Sequence, residues 1–492
     1  MKRIGRWRLV TLAAVVVFMG VAATALAQVS QVHLGWSENN VYETMTVMWY
    51  SPADASQIVY YGTAPGYSPA DYAYSVEGLP KIIAPTEDWT QTTQFDPLLT
   101  SFDGYYYTAV LENLLHGQTY SFRIHDEYTD TLTDEWSFRT IADDETIEFA
   151  FAGDSQRPHE ISGVDFAQLI SRPAAPANWP YMRNFITRKA ANLEPDFFLA
   201  LGDFVARGNN QEQWHNWFDA WQEYAVTDSG RMIPIVPVVG NHDMGGYPSL
   251  HSSYEWFLGL FAVPQPAQGP PGVPCYSLDF PNLHLTVLAA TSGQIQENSP
   301  LAEIEADSQT SWLATDLSSQ EAEDAAWRFV AFHYNYLGCF DACTPNDYPS
   351  DRYMRMWTEL LQGYGVDTVF MGHTHNYTRS WPVWLDTPHP CAGGSLGYTL
   401  LPDTEEGVTY ITHGGWGGVP NLIRYWPGSN LGCQLRGWIA AAASHPSLGY
   451  AKVDAAGCEF VIEDTAGNPI DSFALPYAPN YNQGPTYTEM VP

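Results

Sequence analysis

Five short stretches of this chain place side chains that donate to cations in an ordered series: Gly153-Asp154-Ser155-Gln156, Gly202-Asp203, Gly240-Asn241-His242-Asp243, His333, and Gly372-His373-Thr374-His375. Each follows an apolar run, so the donors fall at or just beyond strand ends, where open α/β sheets build their sites. In an extended segment the side chains at i and i+2 face the same way. Asp154 with Gln156, and His373 with His375, can therefore each converge on one cavity. Carboxylates mixed with imidazoles suit Mn, Fe or Zn, whereas Ca and Mg prefer shells of oxygen alone. Two such ions, about 3.5 to 4 Å apart and sharing one carboxylate, can activate a bridging water as hydroxide and clamp the oxygens of a phosphate undergoing in-line displacement. A nearby imidazole that binds no metal can then protonate the leaving alkoxide.

The elements that must position these donors are legible as two regimes. From Gln28 to about Thr140 short alternating strands, such as Met45-Thr46-Val47-Met48-Trp49-Tyr50 and Gln57-Ile58-Val59-Tyr60-Tyr61, are separated by turns rich in Gly, Pro, Asn and Asp, which predicts a β-sandwich. A polar stretch from Ile141 to Glu145 reads as a linker. Beyond it, strands alternate with helical patterns, as in α/β units. Strands are expected at Ile147 to Gly153, Asp196 to Gly202, Ile233 to Val239, His284 to Ala290, Arg328 to Phe332 and Val366 to Met371. Helices are expected at Tyr181 to Leu193, Gln309 to Leu317 and Arg355 to Leu361. Strands return at Gly407 to His413 and from Gly449 to Leu475. Trp214, Trp217 and Trp221 have helical spacing and read as core or interdomain packing.

With these motifs in this order, the chain resembles the calcineurin-like metallophosphoesterase superfamily, and within it the purple acid phosphatase-like branch that carries a fibronectin type III-like N-terminal domain. The matches extend to Glu194-Pro195-Asp196, Trp312-Leu313, Gly414-Gly415-Trp416-Gly417-Gly418 and Gly449-Tyr450-Ala451. The resemblance implies a four-layer α/β/β/α sandwich preceded by the small all-β domain, and the sequence pattern sets the expected boundaries: 1–27 for a signal peptide, 28–142 for the β-sandwich, 146–476 for the catalytic domain and 477–492 for a tail. It further implies that Asp154 and His375 bind a first metal, that Asp203 bridges, and that Asn241, His333 and His373 bind a second. His242 would face the substrate as leaving-group acid, with Asp243 holding it. Two positions depart from the family pattern. Ala206 stands where purple enzymes carry a metal-binding Tyr, so the tyrosinate-to-iron colour should be missing. Gln156 stands where the wider superfamily often has His, either ligating through its carbonyl or hydrogen-bonding a metal water. The implied function is hydrolysis of phosphate monoesters by attack of a metal-bound hydroxide, with diester or nucleotide cleavage as the alternative on the same site.

Composition bounds the partners. A formal charge of −34 argues against nucleic acid and anionic membranes, which require basic patches, and leaves bound transition metals to attract a small phosphorylated substrate. Lys2, Arg3, Arg6 and Arg8, the apolar run Leu9 to Met19, and Ala25-Leu26-Ala27 read as an export signal. The expected product is a secreted or periplasmic protein without stable membrane association. In an exported chain the six cysteines (Cys275, Cys339, Cys343, Cys391, Cys433, Cys458) would form up to three disulfides. Gly393-Gly394-Ser395-Leu396-Gly397 fits the serine-hydrolase pattern but follows a proline-rich loop rather than a strand. A non-catalytic binding protein is the other rival, opposed by the intact motif set.

Overall fold

The computed structural model describes residues 29–83, 102–143, 146–156, 182–244, 254–290, 300–335, 337, 350–385, 398–401, 407–418, 439–476 and 486–488. The expected signal peptide, the Ser395 motif and four of the six cysteines lie outside these residues.

The front of the chain folds as expected into two antiparallel sheets. One runs in the order Ser30–Gly35, Met45–Ser51, Tyr105–Leu111 and Leu79–Lys81. The other runs Tyr74–Glu77, Gln57–Gly62, Thr119–Asp126 and Thr131–Leu132, with Trp136–Arg139 also pairing with Thr119–Asp126. Thr119–Asp126 shows why these residues make strands: Tyr120, Phe122, Ile124 and Asp126 point inward and alternate with less buried positions along its length, the period-two pattern of a sheet with one buried face. The linker is tighter than its polarity suggests. Ile141 is buried and its carbonyl accepts from Gly117 N–H at 3.0 Å.

Two mixed sheets follow, packed face to face. The first has the order Ile235–Pro237, Phe197–Ala200, Thr146–Ala152, Ser447–Asp454, Gly457–Asp464, Pro469–Leu475, its first three strands parallel and the rest antiparallel. The second has the order Tyr276–Phe280, Leu283–Val287, Trp327–Ala331, Thr368–Met371, Thr409–His413, Tyr377–Ser380, Ile439–Ala443, Thr486–Thr488. Phe149, Phe151 and Phe460 of the first sheet meet Phe329 and Phe370 of the second, with ring centroids 5.0 to 6.4 Å apart. That aromatic layer fixes the spacing of the two sheets. Met182–Asn192 and Gln211–Tyr224 lie outside the first sheet; Pro300–Asp316 and Ser350–Gly363 flank the second. The parallel strands of both sheets end along one edge: Ala152 is level with Ala200, Ala200 with Pro237, and Ala331 with Phe370. The loops beyond those ends carry the donors.

The seam between the domains is apolar and continuous with both cores. Asn210 caps Gln211–Tyr224 by accepting from Gln213 N–H at 3.1 Å, and Trp214, Trp217, Phe218 and Trp221 then share one face. All four are buried. Trp217 stacks on Trp221 at 5.4 Å, and Phe218 stacks on His33 of the small domain at 4.3 Å. The three tryptophans pack against Phe198, Phe204, Phe261 and Trp416 of the catalytic domain and so are its core, while the helix meets the small domain through Phe218 and Gln222.

Two expectations need correction. Cys275, just before Tyr276–Phe280, and Cys458, within Gly457–Asp464, are free and buried, so three disulfides are excluded. Within the segment assigned to a tail, Thr486–Thr488 pairs in parallel with Ile439–Ala443, Ala441 facing Thr486. An alanine-lined edge strand with unpaired backbone groups is a template for another strand, and Thr-Tyr-Thr has the β-branched and aromatic character to take that place.

Candidate metal centre

Three of the expected donors sit on backbone that only glycine adopts freely. Asp154 (φ 64°), Asp203 (φ 55°) and His373 (φ 67°) are all in the left-handed region, at a cost of about 1 to 3 kcal/mol each. Asp154 and His373 therefore reach the cavity through left-handed turns and not, as expected, along an extended segment. The neighbouring glycines allow the crowding. A Cβ at Gly240 would run into the Asp203 backbone nitrogen and carboxylate, and one at Gly372 would meet the Leu201 carbonyl, with Asp154 Oδ2 at 3.0 Å.

The donors form two adjoining groups. In one, His375 Nε2 lies 3.3 Å from Asp154 Oδ1 and 3.3 Å from the Gln156 amide nitrogen, which donates to Asp203 Oδ2 at 3.2 Å. In the other, His333 Nε2 lies 3.3 Å from Asp203 Oδ1 and 3.1 Å from Asn241 Oδ1, and His373 Nδ1 lies 2.9 Å from the same Asn241 oxygen. Neighbouring donors around one ion with bonds of about 2.1 Å are separated by roughly 3 Å. The two groups have that spacing, and Asp203 turns one oxygen to each. Asp203, His333 and His373 place their donor atoms within 4.8 Å of one another. Both oxygens of Asp154, which is fully buried, lack a hydrogen bond, as does Gln156 Oε1. Buried anions without donors are strongly unfavourable unless a cation is supplied. The residues therefore fit a pair of metal ions.

The surrounding contacts orient this set. His333 Nδ1 meets the Leu201 carbonyl at 2.7 Å, leaving Nε2 for the cavity. Thr374, between the two histidines of its motif, donates to Asn335 Oδ1 at 3.0 Å. Tyr334 stacks on His373 at 4.0 Å, a contact no sequence motif announced. Burial opposes charge on Asp203, but His333 and His242 beside it hold its carboxyl well below the usual range. Burial likewise opposes protonation of His333, yet Asp203 raises that ring to about 9. Desolvation, with His333 adjacent, pushes His373 down to about 3.

His242 is placed by its backbone, which donates to Asp203 Oδ1 at 2.8 Å, and by its ring, whose Nδ1 meets the Ala206 carbonyl at 2.9 Å. A proton held at Nδ1 makes Nε2 the nitrogen that can exchange one. The structure corrects the expectation for Asp243. Its carboxylate accepts from the N–H groups of Asp203, Phe204, Val205 and Gly240 at 2.8 to 3.3 Å. It thus braces the turn that carries Asp203 rather than holding the His242 ring. Four N–H groups converging on one point of a tight turn offer a carboxylate more than a single imidazole does. His413 is fully buried, hydrogen-bonded to Ser447 Oγ at 3.1 Å beneath the glycine-rich segment, and does not line the cleft.

Comparison with known proteins bears on this geometry. The pattern of the calcineurin-like phosphoesterase family matches residues 147–377, and that of the purple acid phosphatase N-terminal domain matches residues 29–140. This chain joins a calcineurin-like phosphoesterase domain to a purple acid phosphatase N-terminal domain. Purple acid phosphatase 23 of Arabidopsis thaliana is 23% identical over 81% of this chain and 79% of its own length. Among solved structures, purple acid phosphatase PPD1 from yellow lupin (Lupinus luteus) seeds superposes with a TM-score of 0.64 at 16% identity, over 91% of this chain and 74% of its own. PhoD superposes with a TM-score of 0.54 at 10% identity, over 93% and 94%. These likenesses confirm the two-domain architecture. Metallophosphoesterases are hydrolases that use a dinuclear metal centre, and the two donor groups sharing Asp203 are where this chain would hold it.

Proposed function

We propose that this metallophosphoesterase hydrolyses small phosphate monoesters in an exported location. The observation that carries the reading is the division of Asp203, one oxygen toward Asp154, Gln156 and His375 and the other toward Asn241, His333 and His373. Those residues would hold two transition-metal ions of the Mn, Fe or Zn class, which supply, when bound, an activated water and charge to offset the phosphate. The chain's own residues do the rest. The strained turns at Asp154, Asp203 and His373 hold the donors in place before substrate arrives, so little reorganisation accompanies the reaction. His242, tethered through Nδ1 to Ala206, offers Nε2 to the leaving oxygen and delivers a proton as the ester bond breaks. Asp243 keeps the Asp203 turn from relaxing. Ala206 has no phenol to give, which favours divalent ions over a ferric one. The basic head and apolar run up to Ala27 support export.

The test is the rate on an aryl phosphate monoester and on the matching diester by protein reconstituted with Mn, Fe or Zn, alongside His242→Ala. Monoester turnover that falls in the variant at unchanged metal content is the expected result. Preferential diester turnover would move the reading to a phosphodiesterase, and no turnover of either ester would sink it.

A further inference from the structure

Two amide side chains face the metal centre, and they face it with opposite ends. Asn241 presents its oxygen, 3.1 Å from His333 Nε2 and 2.9 Å from His373 Nδ1. Gln156 presents its nitrogen, 3.2 Å from Asp203 Oδ2 and 3.3 Å from His375 Nε2, and turns its oxygen into the protein, where that atom is buried without a hydrogen bond. Gln156 itself is 3% exposed, so its oxygen finds no compensation in bulk water. An amide N–H is a donor and an amide oxygen an acceptor. The group beside Asn241 is therefore already arranged for a cation. In the group beside Gln156, an N–H fills the position from which a cation would bind Asp203.

Building on the two-ion reading above, we infer that Gln156 is a reversible plug for the site it shares with Asp154 and His375: its amide stands in for the cation in the ion-free protein and turns by half a rotation to offer Oε1 when an ion enters. The turn exchanges one hydrogen bond, Nε2 to Asp203, for one bond from Oε1 to the ion, and relieves the buried oxygen. It has two consequences. The centre fills in order, the Asn241 group first. The Gln156 group then binds more weakly, because its ion must displace the N–H and gains only a neutral ligand where His would give a stronger one and Tyr a charged one.

The test is calorimetric titration of chelator-stripped protein with Mn²⁺, with thermal unfolding recorded at each metal load. Wild type should take up two equivalents in separate phases. Gln156→Leu should weaken the second phase by about tenfold or more while sparing the first, the scale expected when a metal's supporting ligand is lost. Gln156→Glu, which needs no rotation and adds charge, should tighten the second phase by a comparable factor, a change that misfolding cannot mimic. Asn241→Ala should abolish the first phase. Two equivalents bound in one phase, or a second phase indifferent to both Gln156 substitutions, would overturn the plug while leaving the two-ion reading intact. Fewer than two equivalents in wild type would overturn the two-ion reading itself, and the plug with it.

Discussion

The metal centre and the interdomain seam are built from opposite materials, and each shows what the other lacks. At the centre, polar atoms are buried unsatisfied: both Asp154 oxygens and one Gln156 oxygen have no hydrogen bond, and three donors sit on left-handed backbone. At the seam, Phe218 and Phe261 pack on His33, and Trp36 packs on Phe280. Polar groups there find partners across the boundary, as Val32 N–H does with Gln222 Oε1 at 2.7 Å and His33 Nε2 with the Leu260 carbonyl at 3.1 Å. At the centre the unsatisfied atoms are acceptors grouped around one cavity, as a site for a cation requires, whereas the seam gains its rigidity from close packing. Substitutions in the two regions should accordingly fail in different ways.

The largest effect is expected at the shared carboxylate. Asp203→Asn should bring turnover down to background and remove both ions, while secondary structure by circular dichroism stays intact; retention of both ions would break the claim that one residue serves two groups. His242→Ala should cost about 10²- to 10⁴-fold in kcat with metal content unchanged, and the loss should be greater for alkyl than for aryl phosphates, whose leaving groups need less protonation. At the seam, Phe218→Ala, which removes the ring stacked on His33, should cost about 3 to 5 kcal/mol of stability by denaturant unfolding with kcat barely altered under conditions where the variant is folded. A loss of kcat with no loss of stability would show that the seam does more than support.

Two buried histidines outside the centre sharpen the contrast through pH. His284 lies between Asp279 and Asp316, at 2.6 and 3.1 Å. Burial opposes its charge, but those carboxylates raise it to about 9. Its stabilisation is present in full below the unfolded value of about 6.5 and is lost as pH rises towards 9. His33 is lowered by burial to about 4, so the unfolded chain takes up the proton first and stability is lost as pH falls from about 6.5 towards 4. Unfolding free energies measured from pH 4 to 9 should pass through a maximum. His284→Gln should flatten the alkaline side alone, and His33→Gln the acid side alone.

How much of this was legible depends on the range over which the physics acts. Asn241 with His242, and His373 with His375, are neighbours in sequence, and a strand followed by donors is a local pattern. The strands themselves were legible because burial alternates along them or their apolar runs are unbroken. Asp243 was misread because its four partners include Asp203, Phe204 and Val205, some forty residues earlier in the chain; nothing local distinguishes bracing a distant turn from holding the adjacent histidine. Tyr334 was silent for the same reason, since its stacking partner His373 lies in the turn that follows the neighbouring strand Thr368–Met371. The pairing of Thr486–Thr488 depends on a free edge that exists only once the other seven strands of its sheet are assembled. The free cysteines contradict a rule drawn from compartment, because Cys275 and Cys458 are each buried in the core, whatever the redox conditions.

The aromatic seam carries one consequence for how the molecule comes apart. A boundary that runs through a shared core cannot open without exposing Trp36, Phe218 and Trp256 to water, so the front sandwich should not behave as a detachable module on a string. Calorimetry should record one heat-absorption peak rather than two, and a protease should find no early cut between Thr140 and Thr146, where modular proteins are usually nicked first.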